Sequence, residues 1–393
     1  MRYYLIAGEA SGDLHGSNLI RGLKAEDPAA EFRFWGGDAM LAAAAVPEGA
    51  PEPLVRHYRD GAVMGFWEVM TRARTLLRRV RDCEEDLLAW RPDAVILIDY
   101  PGFNFKIAKF AHDRGLKVFW YIAPKTWASR ERRNRKLKAW VDRLFIVFPF
   151  EQEYFRARGV PFVYAGNPLL DAVDSSPALQ EAPEAFFRRH GLAPCRYVAL
   201  LAGSRSTEIR RMMPVLMAFA DRLRALPGYG DCEFILAGAP ARSPQDYLPA
   251  VGESRRAYVH LVFGDTYGVL RHAGAAVINS GTASLEAALV GTPQVVGWSS
   301  SSLTVFLMRH IGHVMDHIKY ISLGNLILDR LAFRELVQEE FTPEAVTDEV
   351  VRLLGDDAYR GRMLSEYGEI RKALGTAGAS RAVAAAMIAA LKP

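Results

Sequence analysis

The sequence has few cysteines and no long apolar run. Its 393 residues include three cysteines, at positions 83, 195 and 232, which lie far apart and show no metal-ligand spacing. This pattern favours neither a disulfide framework nor a zinc site and is typical of a reducing cytoplasm. No uninterrupted stretch of about 18 apolar residues occurs, and the apolar run at the N-terminus is too short for a signal peptide. We therefore expect no membrane-spanning helix.

The chain also lacks a strong excess of charge of one sign. Its 49 Lys and Arg residues against 45 Asp and Glu give a net charge of +4, which is weak evidence for nucleic-acid binding. The basic residues nevertheless form two clusters. The first contains Arg72, Arg74, Arg78, Arg79 and Arg81, and the second contains Arg130, Arg132, Arg133, Arg135, Lys136 and Lys138.

Short apolar runs alternate with helix-like segments through both halves of the chain. This alternation predicts an α/β protein with two Rossmann-like, doubly wound domains facing across a cleft. The length also exceeds one comfortable hydrophobic core. A composition shift near residues 174–194 places the connection there. We predict domains at 1–170 and 171–355, with a last helix at about 356–393 that packs back on the first domain.

The stretch 279–293, NSGTASLEAALVGTP, follows an apolar run and leads into a helical pattern. A strand that passes through such a turn into a helix leaves unpaired N–H groups at the positive end of the helix dipole, which suits a phosphate. Glu286 could then accept hydrogen bonds from a ribose diol. An ordinary helix cap with a first-turn acid explains the same residues. The candidate anion-binding residues are Ser280, Gly281, Thr282, Ala283 and Ser284.

A second glycine turn, Gly203-Ser204-Arg205, follows the apolar run 196–201. The Arg205 guanidinium is suited to bridging phosphate oxygens. The segment 320–325, which contains Asn325, predicts a loop reaching toward the same crevice.

Two acids follow apolar runs in the first half of the chain. Residues 8–13, GEASGD, lack the GxGxxG spacing of a dinucleotide-binding turn, but their glycines let the backbone approach a ligand and they include Glu9. The predicted strand 93–99 ends on Asp99, which we interpret as a candidate general base because ligands bind at the carboxyl ends of parallel strands. A simple turn-forming acid is the alternative.

The segment 63–81 joins large apolar residues to arginines. Such a segment can lie in a membrane interface with arginines on anionic head groups, although a core-packed helix with a basic outer face has the same periodicity. The second basic cluster predicts a helix with a solvated face, or contact with phosphate or anionic lipid. The membrane-contact candidates are Val63, Met64, Phe66, Trp67, Met70, Arg72 and Arg74.

Taken together, these motifs resemble the bacterial lipid-A-disaccharide synthase family over nearly the whole chain. AGEASGD at 7–13 and LIDYPGFN at 97–104 are the most specific motifs, whereas SGTASLEAAL is also similar to other nucleotide-sugar transferases. Further matching text is VMGFWEV at 63–69, YIAPKTWA at 121–128, FPFE at 148–151, GSR at 203–205 and SLGNLI at 322–327.

The resemblance implies an inverting glycosyltransferase of GT-B architecture. UDP-2,3-diacylglucosamine would donate its sugar to 2,3-diacylglucosamine 1-phosphate, giving a β-1,6 disaccharide 1-phosphate and UDP. The work would take place at the cytoplasmic face of the inner membrane, on its anionic surface, and without a metal because no DxD-like motif is present. A homodimer is a candidate assembly, and nucleic acid is not an expected partner.

The resemblance also implies roles for individual residues. Asp99 would be the general base, with Glu9 as a competing candidate or a partner, and Arg205, Glu286 and Asn325 would hold the UDP-sugar. Relatives often have an acid, a histidine and a proline where this chain has Gly102, Asn167 and Gly324. Further acceptor-site or loop candidates are Ser11, Gly12, Asp13, Asn104, Tyr121, Trp127 and Asn167.

Two other functions use the same features. An enzyme similar to UDP-N-acetylglucosamine 2-epimerase would need a two-domain UDP cleft but not the amphipathic segment. A non-catalytic peripheral membrane or nucleotide-binding protein would need neither strand-end acid.

Overall fold

The computed structural model describes residues 1–45, 49, 51–61, 72–300 and 319–392. The chain divides into two compact units. The N-terminal unit comprises Met1–Ala172 and Leu374–Pro393, and the C-terminal unit comprises Val173–Ala373. Each unit is built around one parallel sheet, which confirms the predicted α/β class with two doubly wound sheets.

The N-terminal unit contains a seven-stranded sheet in the order β3-β2-β1-β4-β5-β6-β7. Neighbouring strands are parallel throughout. The central strands are buried along most of their length, as expected where helices cover both faces of a parallel sheet. The strands are β1 Arg2–Ala7, β2 Glu31–Gly36, β3 Leu54–His57, β4 Ala94–Ile98, β5 Lys117–Tyr121, β6 Arg143–Ile146 and β7 Val163–Tyr164.

The helices of this unit connect the parallel strands. They are α1 Ala10–Glu26, α2 Asp38–Ala44, α3 Arg72–Trp90, α4 Pro101–Asp113, α5 Arg133–Trp140 and α6 Pro149–Ala157. Helix α7, Pro168–Asp174, lies at the boundary between the units.

The C-terminal unit contains a six-stranded parallel sheet in the order β10-β9-β8-β11-β12-β13. Its strands are β8 Tyr197–Leu201, β9 Glu233–Gly238, β10 Val259–Phe263, β11 Ala275–Asn279, β12 Gln294–Trp298 and β13 Glu335–Val337. Its helices are α8 Pro183–Arg189, α9 Ser206–Ala225, α10 Leu248–Val251, α11 Thr266–Arg271, α12 Thr282–Val290, α13 Leu323–Leu328, α14 Pro343–Gly355 and α15 Asp357–Leu374.

The last helix, α16 (Ala379–Leu391), belongs to the N-terminal unit and packs on α1. A Cβ added at Gly22 of α1 would lie 2.9 Å from the Ser380 carbonyl oxygen, so the glycine permits the close approach of the two helices. Arg381 also pairs with Glu26 at 2.6 Å. The chain passes from α15 to α16 through two glycines with positive φ, Gly375 and Gly378.

One helical stretch among the described residues, Asp357–Leu391, has the length and composition of a membrane span. It consists of the two helices α15 and α16, which lie in different units. Val383, Ala384 and Met387 of α16 are buried inside the N-terminal unit. Because a buried core helix has the same composition as a membrane span, we assign this stretch to the fold.

Candidate active site

The carboxyl ends of β4 and β5 carry three strained residues. Asp99 and Tyr100 follow β4 with φ of 43° and 44°, and Ile122 follows β5 with φ of 64°. Positive φ is uncommon for side-chain-bearing residues and is an outlier for a β-branched one, and it costs about 1–3 kcal/mol at each position. Ile98 pairs with Tyr121 in the sheet, so the strained residues are neighbours. Strain of this kind clusters at functional sites.

Hydrogen bonds hold the Asp99 peptide on both sides. Its N–H donates to the Tyr121 carbonyl oxygen at 3.1 Å, and its own carbonyl accepts from the Asn104 side-chain amide at 2.8 Å. Asn104 is completely buried in the first turns of α4. The structure therefore gives Asn104 a contact with the backbone of Asp99.

The two acidic motifs of the N-terminal unit are in direct contact. A Cβ added at Gly8 would lie 2.3 Å from Cγ of Tyr100, so only a glycine lets the Tyr100 ring lie there. Glu9 follows Gly8, is exposed, and occupies the N-cap position of α1. The carboxyl ends of the paired strands β1 and β4 therefore bring Glu9 and Asp99 to the same edge of the sheet.

The predicted loop at 8–13 is shorter than expected, because α1 already begins at Ala10. Ser11 is exposed in the first turn, whereas Gly12 is buried, with a hypothetical Cβ 3.2 Å from Cβ of Ala7. The Asp13 carboxylate is 4% exposed and accepts hydrogen bonds from the N–H groups of Gly37, Ala39 and Met40. It therefore caps the start of α2, and burial raises its pKa despite these bonds.

Two further candidates, Tyr121 and Asn167, are buried in supporting positions. The Tyr121 hydroxyl lies near Ser380 of α16, and burial raises its pKa above the ordinary range. Asn167 donates to the Val147 carbonyl oxygen at 3.0 Å and accepts from the Leu169 N–H at 2.9 Å, so it stabilises the start of α7. Both side chains therefore act within the fold in this structure.

Trp127 is half-buried and donates its indole N–H to Glu151 at 3.2 Å. Glu151 is 1% exposed and also accepts from the N–H groups of Val147 and Phe148. Burial raises the pKa of this carboxyl to about 7, against the lowering effect of its three donors. Glu151 thus fixes the segment that carries Trp127.

In the C-terminal unit, α12 begins at Thr282, within the stretch 279–293. Gly281 is its N-cap, with no side-chain cap, and the first N–H groups of such a helix have no intrahelical partner. Ser284 is completely buried and donates its hydroxyl to the Gly281 carbonyl oxygen. Ser284 therefore shapes the turn rather than presenting its hydroxyl, and Gly281, Thr282 and Ala283 remain the candidates for contact with an anion.

Glu286 lies one turn into α12. Its carboxylate accepts a hydrogen bond from the Tyr267 hydroxyl at 3.0 Å. Desolvation raises the pKa of Glu286, and the Tyr267 hydroxyl partly opposes that shift. A half-buried carboxylate held by one donor still has acceptor sites for a ligand diol.

The Gly203-Ser204-Arg205 turn lies beside the α12 turn, since β8 pairs with β11. A Cβ on Gly203, whose φ is 98°, would lie 2.8 Å from the Asn279 amide nitrogen. The N–H groups of Ser204 and Arg205 both donate to Glu208, and the Arg205 guanidinium contacts the same carboxylate at 3.2 Å. The Arg205 side chain is 63% exposed. A phosphate would therefore bind to the Arg205 guanidinium here, because the backbone N–H groups of Ser204 and Arg205 already donate to Glu208.

Asn325 differs most from its predicted position. It lies in helix α13 instead of a loop and is completely buried. Its amide donates to Phe333 and Glu335, and its oxygen accepts from the N–H groups of Ala332 and Phe333. With its donors and its acceptor engaged internally, Asn325 has a structural role here. The 320–325 sequence gave no sign of this structural role, because the residues that bind the Asn325 side chain lie outside that segment, at 332–335.

Glu335 was not identified from the sequence, yet it organises the segment 321–325. It accepts hydrogen bonds from the N–H groups of Ile321 and Ser322 and from the Ser322 hydroxyl. The Ile321 carbonyl in turn accepts the Ser280 hydroxyl at 2.8 Å. This hydrogen bond joins the 320–325 segment to the α12 turn. Gly324 is closely packed, since a Cβ there would lie 2.8 Å from the Phe333 ring.

Several predicted residues fall outside the described part of the chain. Val63, Met64, Phe66, Trp67 and Met70 lie among residues that the structure does not describe, and the side chains of Arg72 and Arg74 are likewise not described. Part of the second basic cluster lies in α5, with exposed Arg135, Lys136 and Lys138, whereas Arg130 and Arg132 precede the helix. Within the described ranges, no group of three or more His, Cys, Asp and Glu residues is arranged to hold a metal ion.

Comparison with known proteins decides the family. The family model described as Lipid-A-disaccharide synthetase matches residues 3–387. The lipid-A-disaccharide synthase of Trichlorobacter lovleyi is 36% identical over 385 residues, which cover 98% of this chain and 96% of that protein. The chain belongs to the lipid-A-disaccharide synthase family. It is therefore a glycosyltransferase with lipid-A-disaccharide synthase activity in lipid A biosynthesis, which confirms the resemblance seen in the motifs.

Other comparisons agree. The synthase of Myxococcus xanthus is 36% identical over 395 residues, covering 100% of this chain and 98% of that protein. A putative UDP-N-acetylglucosamine 2-epimerase from Listeria monocytogenes has a TM-score of 0.67 at 15% identity, covering 100% and 96% of the two chains. The UDP-GlcNAc 2-epimerase from Neisseria meningitidis, bound to UDP-GlcNAc, has a TM-score of 0.62 at 11% identity, covering 99% and 100%. The epimerases share the GT-B fold, whereas full-length sequence identity favours the synthases over the epimerase-like alternative.

Proposed function

We propose that this chain transfers the sugar of UDP-2,3-diacylglucosamine to the 6-hydroxyl of 2,3-diacylglucosamine 1-phosphate. The products are a β-1,6-linked disaccharide 1-phosphate, with inversion at the anomeric carbon, and UDP. The strained turn at Asp99 carries this proposal, because it places an acid at the carboxyl end of a central parallel strand.

The C-terminal unit holds the UDP part of the donor in this proposal. The start of α12 offers N–H groups and the positive end of a helix dipole to the diphosphate. Arg205 adds a mostly exposed guanidinium in the neighbouring turn, and Glu286 accepts hydrogen bonds from the ribose. Charge on departing UDP is then stabilised by fixed donors, without a metal ion. Full activity in the presence of EDTA is expected, and recovery only on adding a metal would contradict this step.

The N-terminal unit supplies the base. Asp99 takes the proton of the acceptor 6-hydroxyl as that oxygen attacks the anomeric carbon. Glu9 lies at the same sheet edge and is the competing candidate. The Gly8 and Tyr100 contact fixes both backbones, so either acid would be held firmly.

A site at the cytoplasmic face of the inner membrane follows from the acyl chains of both substrates, which enter water only at a large cost. In the described part of α3, Leu77 and Leu88 are 57% and 48% exposed. They lie eleven residues apart, close to three turns, and so share one face of the helix with Arg81 and Glu84. The two exposed leucines on this face support docking on a bilayer surface.

The docking segment can be tested separately. Replacing Phe66, Trp67 and Met70 by serine is expected to weaken binding to anionic liposomes while thermal unfolding stays as in the wild type. Unchanged liposome binding would remove the docking role. The homodimer remains a prediction, and analytical ultracentrifugation would test it by measuring the mass of the protein in solution.

The test of the base is Asp99→Asn, assayed with both lipid substrates saturating. Loss of general base catalysis is expected to lower kcat about 10²–10⁴-fold with the fold retained. Asp113→Asn is the matched control, because Asp113 lies on α4 in an exposed pair with Lys109 and should not affect turnover. Near-normal kcat for Asp99→Asn would overturn the assignment, and a large loss in Glu9→Gln alone would transfer the role to Glu9.

A further inference from the structure

Asn104 is an unusual residue for its position in the core. It lies between Phe103 and Phe105 in α4, and all three side chains are buried. An apolar side chain would fill this position without leaving polar atoms to satisfy. Among the described residues, the Asn104 amide oxygen is buried and has no hydrogen-bond partner. A buried, half-satisfied amide lowers stability, so a gain elsewhere must explain it.

The gain lies in the backbone that Asn104 contacts. Its amide nitrogen donates to the Asp99 carbonyl at 2.8 Å and is 3.4 Å from the Ile98 carbonyl. The Asp99 carbonyl belongs to the peptide that joins the two left-handed residues, Asp99 and Tyr100. This peptide would relax to an ordinary conformation unless the surrounding structure fixes it.

Backbone hydrogen bonds hold the rest of this turn. The Asp99 N–H is held by the Tyr121 carbonyl, and the Tyr100 carbonyl accepts from the backbone N–H groups of Phe103 and Asn104. These bonds fix the residues before and after the Asp99 carbonyl. Asn104 contacts the turn twice: its side-chain amide donates to the Asp99 carbonyl, and its backbone N–H donates to the Tyr100 carbonyl.

We propose that Asn104 is a positioning residue, whose amide holds the left-handed turn and thereby sets the direction of the Asp99 carboxylate. The inference rests on the proposed role of Asp99 as the general base. An error of about 1 Å in the placement of a reacting group can cost about 10²-fold in rate. Loss of the Asn104 amide is therefore expected to act on turnover rather than on substrate affinity.

The test is a double-mutant cycle of Asn104→Ala and Asp99→Asn in the full-length protein, followed by disaccharide formation. Asn104→Ala is expected to lower kcat about 10- to 10²-fold, with KM for both substrates and affinity for UDP as in the wild type. In the Asp99→Asn background the same substitution should change kcat less than about 2-fold, because there is no longer a base to direct.

Asn134→Ala is the matched control in the same unit. Asn134 is also a buried asparagine, with one recorded donor bond, to the Tyr154 hydroxyl at 2.9 Å, and an unpartnered amide oxygen. The Asn134→Ala variant should lose about as much unfolding free energy as Asn104→Ala and keep kcat within about 2-fold of the wild type. If Asn104→Ala does not fold, Asn104→Ser takes its place in the cycle, since it shortens the side chain and is expected to show the same pattern with a smaller loss.

The outcomes separate the two proposals. Near-normal kcat for Asp99→Asn would overturn the base assignment. An inactive Asp99→Asn together with full kcat in a folded Asn104 variant would overturn the positioning role alone. An equal fractional loss from the Asn104 substitution in both backgrounds would do the same, because it would show a purely structural effect.

Discussion

The ring of Tyr100 lies against the backbone of Gly8, so close that a methyl group at Gly8 would come within 2.3 Å of the ring. Gly8 ends the first strand motif and Tyr100 follows Asp99, so this contact joins the two most specific sequence motifs of the N-terminal unit. The Tyr100 ring also stacks on Phe103, with ring centroids 5.6 Å apart. The acid-bearing edge of the sheet is therefore fixed by packing as well as by hydrogen bonds.

Gly8→Ala should disturb this edge. The added Cβ cannot be accommodated unless the Tyr100 ring moves, which is expected to cost about 1–3 kcal/mol in stability and to lower kcat. Gly102→Ala is the control, because no heavy atom lies within 4 Å of its hypothetical Cβ, and it should be neutral or stabilising by up to about 1 kcal/mol. Urea unfolding measures both, and equal stabilities would contradict the packing argument.

Tyr267→Phe should weaken binding of UDP. Removing the hydroxyl leaves Glu286 without a donor that orients it, and it raises the already raised pKa of Glu286 because that hydrogen bond lowers it. We expect the Kd for UDP to rise about 5-fold, equivalent to about 1 kcal/mol, with the loss larger at lower pH. Calorimetric titration with UDP measures this change.

The control for Tyr267 is Tyr258→Phe in the same unit. Tyr258 also donates its hydroxyl to a carboxylate, that of Asp221, at 2.6 Å, but on an exposed surface away from α12. It should leave UDP affinity unchanged. A Tyr267→Phe variant that binds UDP like the wild type would show that Glu286 needs no such partner.

Asn325→Ala should act on stability. The substitution removes an amide with four hydrogen bonds and leaves the Ala332 and Phe333 N–H groups without their partner. A loss of about 3 kcal/mol is expected in urea unfolding. Arg330→Ala, which removes an exposed pair with Glu366, should cost less than about 1 kcal/mol. A stable Asn325→Ala protein with impaired UDP binding would restore the donor contact first predicted for Asn325.

Glu151 should make stability depend on pH between its unfolded and folded pKa values. Burial raises the pKa from 4.5 to about 7, so between these values the folded state retains a proton that the unfolded state has lost. Its contribution to stability is thus greatest below pH 4.5 and falls as pH rises toward 7. Relative to Glu151→Gln, the wild type should lose about 3 kcal/mol across this window.

Urea unfolding of both proteins from pH 5 to 8 measures the difference for Glu151. His15, whose pKa burial lowers to about 4, titrates in the opposite sense over an overlapping range. It is present in both proteins, so its effect cancels in the comparison. A pH-independent difference between the two proteins would mean that Glu151 titrates normally.

The fold was predictable because buried parallel strands read as short apolar runs between helical patterns. The two strands that the sequence did not indicate, β3 and β13, lie at the edges of their sheets. Both are only partly buried and short, with LVRH and ELV as their sequences. An edge strand needs no continuous apolar run, so local patterning gave no signal there.

The sequence by itself determined the α/β class, the family and the motifs that gather at the carboxyl ends of the strands, because strand burial and turn chemistry are local properties of the chain. The tertiary structure alone decided which polar side chains in those motifs support the fold. Asp13 caps a helix more than twenty residues away, and Asn325 and Glu286 are held by partners outside their own motifs. A polar residue looks the same in sequence whether it serves a ligand or the backbone, since only its three-dimensional neighbours determine where its hydrogen bonds go.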